Sequence, residues 1–390
     1  MNTAPIPNLS VMSKPYISPQ GMHAARLPVV VAGVLALAIG VWLVLSASPG
    51  LFTNDAGQYL STIDGLIAGR GLTTTALYYE VQAAGGLPAP QTVWPPGLSL
   101  AAAGLSISTG LEPVAALVAI GALAHGVTVV LIAGILVRLV GAWPALVAAA
   151  LYAVYPPALR MVLIGASEPL FAALGVAAAG CLVRAFEMRD ADRRWLASAS
   201  LFVGASCLVR YHGVALIGAL GLVALAGWLI AGRTRRTFVD GLILVVPAAA
   251  IFAGLLARNF AVTGRLTGGP TGPRALTPGE LVEQSIWGVV EILGGDSGRW
   301  GRIAAAVLAL GLVALLVQGV ARYVRGGADT SVAHGRVALF GLAASAGMIG
   351  LVLVMALRPT GVKIEGRYFI PCVPLTLVAL AALWPARRAD

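Results

Sequence analysis

The chain is predicted to be an all-α polytopic membrane protein with about ten transmembrane helices, and three observations predict it. Apolar residues make up 58% of its 390 positions and charged residues 11%, with a mean hydropathy of +0.89; a water-soluble fold has no interior able to hide that much apolar surface. Aliphatic runs of about twenty residues recur, and at 1.5 Å per residue such a helix crosses roughly 30 Å of hydrocarbon. Ten-residue segments of alternating polarity are absent, which argues against a barrel.

A polar, Pro-containing tail over 1–25 leads into the first run, Leu27 to Ala47. That run is longer than a typical signal-peptide core. Although Ser46, Ala47 and Ser48 imitate a cleavage site, the reading is an uncleaved signal anchor. Further runs fall at 112–137, 142–158, 169–186, 196–210, 213–231, 238–257, 302–322, 337–357 and 368–384, giving a single transmembrane domain over 26–386. Gly97 to Ser108, introduced by Trp94-Pro95-Pro96, is too short to span and is expected to lie in the outer interface or to enter partway.

Lys and Arg set the orientation. With both termini cytoplasmic, fifteen basic and six acidic residues fall inside, against eleven basic and ten acidic outside, as the positive-inside rule requires. If 97–108 were a span, every later loop would change sides and Arg189 to Arg194 would face outward. Two long outer loops result, 48–94 and 258–301, and long loops are usually either functional or disordered. The first is expected to hold juxtamembrane helices and contains a Tyr78-Tyr79-Glu80 cluster. In the second, Thr277 as N-cap, Pro278 at N1 and Glu280 at N3 form a capping-box pattern.

Other classes are excluded or left without support. Basic residues are scattered between apolar segments, so no nucleic-acid face forms. Their bias to arginine, with only Lys14 and Lys363 as lysines, suits phosphate handling, with coding bias as the bland alternative. Cys181, Cys207 and Cys372 lie in or beside apolar runs without CxxC spacing. Of four histidines only His212 faces outward, so a His-rich zinc site is excluded; no metal is assigned, and a divalent ion held by carboxylates alone is left open. There is no GxxxxGK[ST] and no GxSxG.

Ionisable groups beside membrane spans are functional candidates by default. On the outer side these are Asp55, Asp64 and Glu80 in the first loop, Glu168 at the start of the fourth span, Arg210 with His212 in a junction almost without a loop, Arg258 with Asn259, and Glu365-Gly366-Arg367-Tyr368 before the last span. Each has a bland reading beside it. Glu168 is also an acid favoured at a helix start, Arg210 and Arg258 are also snorkelling cations, Asp64 is a solvated helix position, and Tyr59, Trp94 and Tyr368 are also interfacial anchors.

In order along the chain, Asn54-Asp55-Ala56-Gly57-Gln58-Tyr59, Trp94-Pro95-Pro96-Gly97, Ser167-Glu168-Pro169, Leu208-Val209-Arg210-Tyr211-His212-Gly213, Arg258-Asn259-Phe260 and Gly366-Arg367-Tyr368-Phe369-Ile370-Pro371 resemble the GT-C glycosyltransferases. More narrowly, they resemble the protein O-mannosyltransferase and aminoarabinose-transferase type, which use polyprenyl-phosphate-linked sugars. The resemblance implies inverting transfer to an extracytoplasmic acceptor, with Asp55 as general base and Glu168 as a second acid. It also implies Arg210, Arg258 and Arg367 as phosphate contacts, and Tyr59, Trp94, Tyr368, His212 and Glu80 as further substrate-site candidates. The chain departs from the pattern at Asn54, where many members carry a second acid, and at Tyr211-His212, where relatives often have Pro-Glu.

Elementary chemistry agrees. Nucleotide sugars are not available outside the cytoplasmic membrane, so a donor there is membrane-anchored and already activated as a phosphate ester. Its leaving phosphate needs cationic stabilisation, and a carboxylate near the attacking hydroxyl can take the proton. The rivals are a secondary transporter or flippase, which would place paired charges at midspan, and a catalytically silent subunit that keeps the fold.

Overall fold

A computed structural model describes residues 19–46, 53–77, 86–187, 192–230, 233–268, 276–292, 332–357 and 364–383. The expected span over 302–322 and the Tyr78-Tyr79-Glu80 cluster lie outside the described residues. Among the described residues seven helices are long and apolar enough to cross a membrane, or eight if one bent pair is a single span.

The elements run α1 (Pro19–Leu45), α2 (Asn54–Ile67), α3 (Gly97–Thr109), α4 (Pro113–Val140), α5 (Ala142–Ala153), α6 (Pro156–Leu163), α7 (Glu168–Glu187), α8 (Arg193–Val209), α9 (Gly213–Ile230), α10 (Arg235–Thr263) and α11 (Pro278–Ile292). After these come α12 (Val332–Ala356), a 3-10 turn (Gly366–Phe369) and α13 (Cys372–Leu383). A two-stranded ribbon, β1 (Thr73–Thr74) with β2 (Ala89–Pro90), pairs antiparallel between α2 and α3.

Three boundaries differ from expectation, each for a local reason. Helix α1 begins at Pro19, inside the stretch read as a tail; proline is tolerated there because the first N–H groups of a helix lack partners. The run at 142–158 is two helices, α5 and α6, bent by 43° where Pro156 and Pro157 interrupt the hydrogen-bond ladder. Helix α10 continues past Arg258 to Thr263 and stops at Gly264, which takes the left-handed cap conformation. The capping box of α11 forms as expected: Thr277 N donates to Glu280 Oε2 at 2.9 Å and Glu280 N to Thr277 Oγ1 at 3.3 Å.

Ile132, Leu182, Leu216 and Phe340 are fully buried at the centre of the bundle. Small residues set the spacing there, with Gly180 against Ile135 and Gly175 against Leu375, as membrane helices pack where burial alone gives no drive. A second apolar cluster closes one end. It joins Ala56, Tyr59 and Ile63 of α2 to Leu98, Ala102 and Ala103 of α3 and to Leu117 of α4. The start of α3 touches the end of α8 so closely that a Cβ at Gly97 would lie 2.6 Å from Leu208 O. This contact explains the glycine after Trp94-Pro95-Pro96.

Candidate active site

The site forms where α2 and α7 begin, where α8 turns into α9, and at the 366–369 turn before α13. Thr53 caps α2, its hydroxyl accepting from Ala56 N at 3.5 Å. Asp55, Tyr59, Thr62 and Ile63 follow at helical spacing and are all buried, so the carboxylate of Asp55 is carried inward by the same face that seats the helix. Asp64 falls on the opposite face and is exposed, as expected. Glu168 opens α7 and Arg210 is the C-cap of α8.

Arg367 is placed by α11. Gln284 Oε1 accepts from Ile364 N at 2.8 Å and Glu291 Oε2 accepts from Gly366 N at 2.6 Å. A Cβ at Gly366 would meet Glu291 Oε2 at 2.6 Å and Gly288 O at 2.9 Å, so only glycine lets the turn sit this close to α11.

Two ion pairs result. Arg367 Nη1 lies 2.6 Å from Asp55 Oδ2, and Arg367 Nε lies 2.6 Å from Glu365 Oε2. Arg210 Nη1 lies 2.7 Å from Glu168 Oε1 but directs its hydrogen bond to Ser167 Oγ at 2.9 Å. Among the described residues neither Glu168 oxygen receives a directed hydrogen bond. Asp55, Glu168 and Arg210 are 6%, 1% and 6% exposed, so charge is matched in a dehydrated setting. Burial raises the Asp55 carboxyl above its usual 3.8, Arg367 pulls it back down in part, and the Glu168 charge raises it further.

The aromatic ring of Tyr368 joins the two pairs. Arg210 and Arg367 lie over it at 5.6 and 5.3 Å from its centroid, within cation–π range. His212 stacks on the same ring at 5.8 Å, and burial together with the Arg210 charge lowers it to about 3, so the imidazole is neutral at physiological pH.

Asp55 and Arg367 line a cavity of about 660 Å³ together with Thr53, Asn54, Arg160, Glu291 and Glu365, a volume suited to a small ligand. The expected site residues divide around it. Tyr59 lies beneath the site, its hydroxyl donating to Ser167 Oγ at 3.2 Å, and half-buried Trp94 packs on the same cluster; neither is among the cavity-lining residues. Arg258 stands apart: its guanidinium donates to Gln91 O at 2.5 Å and Leu72 O at 3.3 Å, holding the first loop. Asn259 Nδ2 donates to the Tyr211 hydroxyl, which donates in turn to Thr92 O at 2.6 Å. Glu80 is outside the described residues.

Sequence reasoning missed Arg160, Glu291 and the bridging role of Ser167. Arg160 carried a signal, an outer arginine just after a double proline. Glu291 carried none, because its partner is a backbone N–H 75 residues away. For a divalent ion, no cluster of three His, Cys, Asp or Glu groups occurs among the described residues, and both central carboxylates already face guanidinium groups.

Over residues 95–257 the chain matches the family described as Dolichyl-phosphate-mannose-protein mannosyltransferase. Glu168 and Arg210 fall inside that stretch; Asp55, Arg258 and Arg367 fall outside it. Among solved structures it is similar to ArnT from Cupriavidus metallidurans bound to undecaprenyl phosphate, at 15% identity and TM-score 0.55, over 90% of this chain and 59% of that one. It is also similar to the Archaeoglobus fulgidus oligosaccharyltransferase in complex with Zn and sulfate, at 15% identity and TM-score 0.52, over 91% of this chain and 48% of that one. A third is AglB from Archaeoglobus fulgidus in complex with an inhibitory peptide and a dolichol-phosphate, at 14% identity and TM-score 0.52, over 93% and 50%. The chain spans about half the length of these structures. No curated protein matches it. At these identities the likeness defines the fold, that of the multi-pass GT-C membrane proteins. The family match covers under half of the chain and agrees with that fold.

Proposed function

We propose that the protein is an inverting glycosyltransferase of the cell inner membrane. It transfers a hexosyl or pentosyl group from a polyprenyl-phosphate donor to an extracytoplasmic glycan, lipid or protein, with both termini cytoplasmic and the cavity facing outward. The observation that carries this reading is the Asp55–Arg367 ion pair at 2.6 Å on the wall of a cavity of about 660 Å³, with the Glu168–Arg210 pair packed beside it. Support for the donor class comes from the family match and from the undecaprenyl phosphate and dolichol-phosphate held by the two named relatives.

On this reading the acceptor hydroxyl attacks C1 of the sugar while the C1–O bond to phosphate breaks, leaving its electron pair on the polyprenyl phosphate. Asp55 takes the hydroxyl proton, and its burial makes it a stronger base than a surface aspartate. Arg367 aims the carboxylate and faces the charge that grows on the phosphate. Glu168, buried behind the cavity wall, acts through its charge, which raises the basicity of Asp55. Arg210 holds Glu168, and Arg258 anchors the loop. Tyr368 holds the two arginines against its ring.

Membranes containing the protein, supplied with labelled polyprenyl-phosphate hexoses and pentoses and an envelope extract as acceptor, are expected to consume one donor and release polyprenyl phosphate. Survival of every donor intact would overturn the reading.

A further inference from the structure

The cavity holds a cation that the pairs above do not use. Helix α6 starts at Pro156-Pro157, where the chain turns by 43° from α5, and Pro157, Arg160, Met161 and Ile164 recur at the spacing of one helix face. That face lines the cavity shared with Asp55 and Arg367. Arg160 is exposed and, among the described residues, makes no hydrogen bond or ion pair.

The arginines that the family resemblance assigns to phosphate are all engaged. Arg210 is buried against Glu168 and Ser167. Arg258 donates to backbone carbonyls of the first loop. Arg367 is held between Asp55 and Glu365. A phosphate taking Arg367 as its sole cation would have to pull it from Asp55 and leave the base unpaired, whereas a phosphate at Arg160 breaks nothing.

We infer that Arg160 is the principal anchor of the lipid phosphate in this cavity, a diester in the donor and a monoester once the sugar has left, with Arg367 completing the contact while still paired to Asp55. The inference rests on the proposed transfer reaction and adds to it the residue that binds the donor's phosphate. A guanidinium offers a planar fork that meets two phosphate oxygens at once. Because Arg160 approaches from α6 and Asp55 from α2, the phosphate and the base are held by separate elements, as displacement at a carbon between them requires.

The test uses the purified full chain in nanodiscs, with undecaprenyl phosphate and inorganic phosphate titrated separately by microscale thermophoresis. Arg160→Gln, a change at an exposed position, is expected to weaken binding about 10- to 100-fold, the worth of one charge-assisted paired contact. Arg160→Lys, which keeps the charge and loses the fork, is expected to lose less. Weakening for both ligands assigns Arg160 to the phosphate group itself, and weakening for the lipid alone assigns it to a phosphate presented from the bilayer; either supports the inference. Unchanged affinity for both in Arg160→Gln overturns it while leaving the transfer reaction standing. A parent chain that binds neither ligand overturns the transfer reading as well.

Discussion

Replacing Asp55 with asparagine separates a chemical role from a structural one, because the structure sets opposite expectations for rate and stability. The amide is nearly isosteric, the Thr53 cap of α2 is untouched, and Arg367 keeps Glu365 Oε2 at 2.6 Å, so no buried cation is left without a partner. Burial holds the folded pKa of Asp55 above 3.8 even beside Arg367. The native state therefore binds more protons than the unfolded chain from 3.8 up to that raised value. Stability from this group is fully present below 3.8 and is lost as pH rises through the window. Asparagine does not ionise and escapes that loss, so the variant is expected to melt at or slightly above the parent's temperature at pH 7. Transfer should nonetheless fall by about 10²- to 10⁴-fold, the range for a positioned general base, or about 3 to 5 kcal/mol of barrier. In the parent, kcat/KM should climb with pH through the raised Asp55 pKa and then level; the variant's residual rate should be flat over the same range. Single-turnover transfer from a labelled lipid donor, paired with thermal unfolding of the same samples, reads both quantities. A folded Asp55→Asn protein working within about threefold of the parent would refute the assignment, whatever its melting temperature.

Three further expectations follow from contacts around the site. Arg210→Ala strands Glu168, 1% exposed, as a buried unpaired charge and should destabilise by about 3–5 kcal/mol; adding Glu168→Gln should recover much of that loss in a double-mutant cycle on thermal unfolding. Gly366→Ala drives a Cβ to 2.9 Å from Gly288 O and onto Glu291, so the turn carrying Arg367 must shift, and transfer is expected to drop by about tenfold or more with a smaller change in melting temperature. Arg258→Ala frees the carbonyls of Gln91 and Leu72; it should speed proteolysis in the 72–92 segment while leaving affinity for polyprenyl phosphate unchanged.

The spans were legible because a membrane helix declares itself by length and apolarity, and the runs at 27–47, 112–137 and 213–231 needed no tertiary information. The charged residues of the site were legible for the same reason, since Asp55, Glu168, Arg210 and Arg367 stand out against spans nearly free of charge. Their pairing was not. Which arginine meets which carboxylate depends on how α2, α7, α8 and the 366–369 turn pack, and Asp55 and Arg367 lie 312 positions apart. Arg258 shows the limit from the other side, because an outer arginine reads the same in sequence whether it meets a phosphate or a loop carbonyl. The bend at Pro156-Pro157 was present in the sequence as a double proline, but its consequence, a helix face with Arg160 turned into the cavity, follows only from the angle.

The position read as a departure, Asn54, fits the charge balance of this cavity. Asn54 is exposed and lines the same space as Asp55, Glu291 and Glu365, with Arg160 and Arg367 as the cations there. A second acid beside Asp55 would place four carboxylates against two guanidinium groups, and neighbouring like charges raise each other's pKa. Asp55 would then hold its proton to higher pH and serve less well as a base at neutrality. With an amide at 54, one guanidinium at 2.6 Å offsets part of the rise that burial imposes on Asp55, and Arg160 remains available to an incoming phosphate. On this reading the amide at 54 is compatible with an active site in which an arginine, rather than an ion shared between two acids, balances the base.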